Sequence, residues 1–70
     1  MNYRTLTKKL RKLGCGFVRQ GPGSHEIWWN PAQRKFTTIP WRPGHEDLPK
    51  GTIGEILRNL GLEPKDLRKV

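Results

Sequence analysis

The chain has 70 residues, 33% of them hydrophobic, and sets 14 Lys and Arg against 6 Asp and Glu for a net charge of +8. That length predicts one domain around a small core and leaves no room for a large catalytic cleft. The charge favours polyanions as partners; no run is long enough to span a bilayer and no apolar leader opens the sequence, so membrane attachment is set aside and a cytoplasmic protein is expected.

Tyr3, Leu6, Leu10 and Leu13 recur at helical spacing, with Arg4, Lys8, Lys9, Arg11 and Lys12 on the opposite side. This pattern predicts an amphipathic first helix that Gly14 ends. Residues 1 to 20 carry six of the basic residues, Arg19 included, and no acid. Cys15 to Gln20 reads as a short strand. Cys15 is the only cysteine, so no internal disulfide forms; the chain offers no zinc-ligand spacing, and the thiol reads as a small buried side chain.

Gly21-Pro22-Gly23-Ser24 suits a type II turn, with proline presetting φ and glycine accepting the positive φ that follows. A hairpin should result, with Ser24 to Asn30 as the second strand, a turn over Asn30 to Arg34, and a third strand from Lys35 to Ile39 that Pro40 closes. Residues 41 to 50 read as an irregular surface loop crossing the sheet. Thr52 and Glu55 have capping-box spacing, which predicts the start of a second helix there. Ile53, Ile56, Leu57 and Leu60 would be its buried stripe and Gly61 its cap, with a last helical turn over Pro64 to Arg68. The predicted class is α+β, in the order α-β-β-β-α, with the helices on one face of a three-stranded antiparallel sheet.

His25 is the leading candidate for chemistry. Period-two alternation puts it on one face with Ile27 and Trp29, and puts Ser24, Glu26 and Trp28 on the other. A strand histidine is commonly a surface or packing residue. Histidine is nevertheless the side chain that both takes and gives a proton at cellular pH, as cleavage of a phosphodiester by the neighbouring 2′-hydroxyl requires. Cationic neighbours would stabilise the charge that builds on phosphorus. Candidates for RNA contact are Arg4, Lys8, Lys9 and Lys12 of the first helix, Ser24 beside the histidine, and Lys35 and Lys50. His45, between glycine and two acids, reads as a loop-capping group. Of Trp28, Trp29 and Trp41, at least two are expected in the core, leaving one to stack on a base or a partner.

Gly23-Ser24-His25 after a basic helix, a strand ending at Pro40, and Asp47-Leu48-Pro49-Lys50-Gly51-Thr52 followed by Ile53, Ile56, Leu57 and Gly61 resemble the HicA mRNA interferase toxins, over about Leu6 to Leu62. The resemblance implies a fold like that of double-stranded RNA-binding domains and a metal-independent, cofactor-free endoribonuclease with its catalytic histidine at His25. It also implies neutralisation by an acidic HicB-type antitoxin. The chain departs from the pattern at Glu26 and Trp41, where many members carry histidine. The alternative is a non-enzymatic RNA-binding module of the same fold. Double-stranded RNA readers concentrate lysines at the start of their final helix, where this chain offers only Lys50.

Overall fold

A computed structural model describes residues 1–41 and 46–70. Its elements are α1 (Tyr3–Lys12), β1 (Gly16–Gln20), β2 (His25–Asn30), β3 (Lys35–Pro40), α2 (Lys50–Leu60) and α3 (Pro64–Arg68). The strands form one antiparallel sheet in the order β1-β2-β3. Leu6 and Leu10 of α1, Ile56, Leu57 and Leu60 of α2 and Leu67 of α3 cluster with Trp28 and Ile39 from a single face of the sheet. The expected α+β arrangement is the one observed.

Asn2 caps α1 by accepting the Thr5 amide at 2.9 Å, and Gly14, at φ +93°, turns the chain out of it. Asn2 also bridges to Asp47, and the Leu48 amide donates to the Met1 carbonyl at 2.9 Å, which ties the segment before α2 to the start of α1. His45 lies outside the described residues.

Two local expectations are corrected. The hydrogen-bonded turn of the first hairpin runs from Pro22 to His25, one residue later than the sequence suggests, with the His25 amide reaching the Pro22 carbonyl at 3.4 Å. The cause is that Gly21 joins the ladder, donating to the His25 carbonyl at 2.8 Å and leaving only three residues for the reversal. Gly23 does take the positive φ, +62°. Second, α2 starts at Lys50 with Pro49 as its cap residue, so Thr52 and Glu55 are inside the helix and form no capping box. The Pro49 carbonyl already accepts the Ile53 amide at 3.1 Å, and the helix has begun before Thr52 is reached. A capping box is present instead on α3, between Glu63 and Asp66.

Trp28 is the centre of the core, with no exposed surface. Its Nε1 donates to Glu26 Oε1 at 3.0 Å, and the Phe17 ring meets it edge-on at 6.2 Å. The same Glu26 oxygen accepts the Tyr3 hydroxyl at 2.5 Å. The expectation that two tryptophans serve the core is also corrected. Alternation along β2 turns Trp29 to the other face, where its ring lies 4.8 Å from Phe36, and Trp41 is 47% exposed.

Burial, and then the hydrogen bond to Glu26, push the Tyr3 hydroxyl from 10.0 up to about 12. The folded chain therefore holds that proton more tightly than the unfolded chain does. Its contribution to stability is complete below pH 10 and is lost as pH climbs toward 12. Thermal melts should shift downward across that window, and Tyr3→Phe should remove this part of the pH dependence. An identical alkaline slope in the Tyr3→Phe protein would assign the loss to another group.

Between Phe17 and Arg19 the register of β1 on β2 slips. Phe17 opposes Trp28 on the helix side while Arg19 opposes Ile27 on the outer side, so Val18 is the extra residue of a bulge. The outer face of the sheet carries Arg19, Ile27, Trp29, Phe36 and Thr38, and no described helix covers it.

Candidate active site

His25 opens β2 opposite Pro40 and is exposed. Three features fix it there. Gly21 approaches so closely that a methyl group on it would meet the His25 carbonyl at 3.3 Å. The Gln20 amide donates to that carbonyl at 3.1 Å. The Trp41 backbone amide donates to the Ser24 carbonyl at 2.7 Å, closing the ladder just past Pro40 and fixing the residue before the histidine. The ring leans over the turn, since a methyl on Gly23 would lie 3.9 Å from His25 Nδ1.

The histidine lines a polar groove of about 310 Å³ between the end of β3 and α2, with Thr38, Pro40, Thr52, Glu55 and Asn59. Glu55 is therefore a second titratable group at the groove. Sequence reasoning misses it because the capping-box spacing gives Thr52 and Glu55 to each other; freed from that role by the earlier helix start, both face the groove. The signal that could find it is the four-residue helical spacing from Glu55 to Asn59, which places both on one side of α2.

Glu26, adjacent to His25 in sequence, is kept away from it. Strand alternation turns its carboxylate to the helix side, where Tyr3 and Trp28 hold it. The acid beside the histidine is thus a structural acceptor and puts no charge into the groove.

Of the seven residues expected to contact RNA, only Ser24 adjoins His25. Arg4, Lys8, Lys9 and Lys12 line a separate hollow along α1. Within it, Lys9 Nζ donates to the carbonyls of Leu67 and Val70 at 3.0 and 2.7 Å, so this cation pins the end of α3 to α1. Lys35 sits at the far end of β3, about 17 Å of strand from Pro40. Lys50 lines a third hollow, with Leu57 and Arg68.

Among the described residues no cluster of three or more His, Cys, Asp or Glu is placed to hold a metal ion. Burial pushes the Cys15 thiol up, in keeping with an unreactive core side chain.

The layered fold, the basic first helix and a histidine in a polar groove define a small, basic α+β protein. The family profile of HicA toxins of bacterial toxin–antitoxin systems matches residues 3–62, and the chain belongs to that family. Its members are RNA-cleaving toxins, each paired with an antitoxin. No curated protein and no solved structure matches the chain. No helix of the described residues is long and apolar enough to cross a membrane.

Proposed function

We propose that this toxin is a metal-independent endoribonuclease of the cytoplasm that cuts mRNA with His25 as its proton-transfer group, and that an acidic HicB-type antitoxin holds it inactive. The observation that carries the reading is the exposed imidazole in the groove between β3 and α2, fixed by its turn, in a chain of the HicA family. The neutral imidazole takes the proton of a ribose 2′-hydroxyl. The 2′-oxygen then attacks the adjacent phosphorus, the bond from phosphorus to the 5′-oxygen breaks, and the imidazolium returns the proton to that leaving oxygen. The products are a 2′,3′-cyclic phosphate and a 5′-hydroxyl end. Incubation of the purified protein with single-stranded RNA, with and without a chelator, tests this. Fragments with cyclic phosphate ends in both samples are expected, and loss of cleavage on chelation would overturn the metal-independent mechanism.

Away from the groove, Arg4, Lys8 and Lys12 offer phosphate contacts along α1. Affinity for RNA should fall steeply as salt rises, and replacing Lys8 and Lys12 by alanine should reduce the slope of log K against log salt by roughly one unit for each phosphate-binding lysine removed. Lys9→Ala should instead loosen α3, at about 1–3 kcal/mol for hydrogen bonds made by a charged donor. An unaltered salt slope in the Lys8/Lys12 double variant would remove α1 from the RNA surface.

A further inference from the structure

The groove that holds His25 does not end at the histidine. A second hollow, of about 490 Å³, opens across the outer face of the sheet among Val18, Arg19, Ile27, Phe36 and Thr38 and reaches Thr37 and Asn59 at the β3 edge. The two adjoin at this edge, where Thr38 and Asn59 line both. Phe36 stands in the second hollow, 55% exposed, with Trp29 behind it at a ring distance of 4.8 Å and 33° between planes.

We infer that this outer hollow seats an unpaired base of single-stranded RNA, stacked on Phe36, one or two nucleotides from the phosphate at His25. The inference rests on the nuclease reading above and adds the subsite and the form of the substrate.

Three observations point to RNA as the occupant. First, the strand residues of the outer face include no acid, because alternation turns Glu26 inward. Second, the bulge at Val18 brings the guanidinium-bearing Arg19 to the rim of the hollow, where it meets a phosphate or the face of a base. Third, the hollow adjoins the groove of the only described histidine through Thr38 and Asn59, so a strand seated in one is led toward the other. A base in a duplex is covered on both faces and has none to offer Phe36, and recognition by stacking on aromatics is the mode of single strands.

The test uses His25→Ala protein, so that RNA survives the titration, with a labelled single-stranded RNA decamer, the same strand bearing abasic sites, and the corresponding duplex. Phe36→Ala in that background should weaken binding of the intact strand by roughly 5- to 100-fold, leave the abasic strand unaffected, and leave the circular dichroism spectrum intact. Phe36→Tyr, which keeps the ring, should bind as before. Equal affinity of the Phe36→Ala protein for the intact strand, or duplex bound as tightly as single strand, would overturn the inference; His25-dependent cleavage by the parent protein would then still stand. Loss of affinity for the cognate antitoxin alone, with RNA binding unchanged, would assign the face to a protein partner and likewise overturn it. Phe36-dependent binding without cleavage by the parent protein would uphold the subsite and remove the nuclease.

Discussion

His25→Ala should lower the rate of RNA cleavage by about two to four orders of magnitude, the range for loss of a positioned acid–base group, while binding and fold persist. The side chain is exposed and its loss opens no core cavity. The turn that carries it is held by backbone bonds from Gly21 and Trp41, which the substitution does not touch. Single-turnover cleavage and circular dichroism measured on the same preparation separate the two roles a histidine can have here. Cleavage at the parental rate would sink the mechanism. A collapsed spectrum would show that the ring is structural. Among the described residues Glu55 is the one other titratable group facing the groove, so any residual rate in the His25→Ala protein is to be sought in a second substitution, Glu55→Gln.

Trp28→Ala should bring the protein close to unfolding. The indole is completely buried, and removing a core aromatic of this size costs about 3–5 kcal/mol. That is a large share of the roughly 5–15 kcal/mol available to a small domain. It also leaves Glu26 with one donor fewer, and it removes the ring over which the Arg11 guanidinium lies at 4.9 Å. The expected fall in Tm is roughly 15–30 °C. Trp28→Phe keeps most of the volume, loses the N–H, and should recover more than half of the difference. A melt for Trp28→Ala within a few degrees of the parent would mean that the helices pack without the indole as their shared support.

The leucine spacing of α1 and the strand alternation that separates His25 from Glu26 are legible in the sequence because each is a local pattern with a fixed period. The α2 start is not, because two capping signals compete within a few residues. Thr52 with Glu55 fits the sequence motif, yet the helix already begins at Lys50, directly after the extended Pro49, and no local rule ranks the two. The tryptophans escape sequence reasoning for a related cause: hydrophobicity says that an indole wants cover without saying from which side. Trp28 finds it under the helices, Trp29 in Phe36 across the strand pair. The groove itself lies beyond reach, since it joins β3 to a helix ten or more residues further along the chain.

The slip at Val18 gives β1 an unusual freedom. Along a regular strand the loss of a single residue exchanges inside for outside at every later position. Here Phe17 and Arg19 already oppose consecutive residues of β2, so a chain lacking Val18 would close into an unbroken ladder with Phe17 still on the helix side and Arg19 still outside. This is the one place in β1 where length can vary without inverting the sheet, and related chains that differ by one residue there should share a single arrangement of faces.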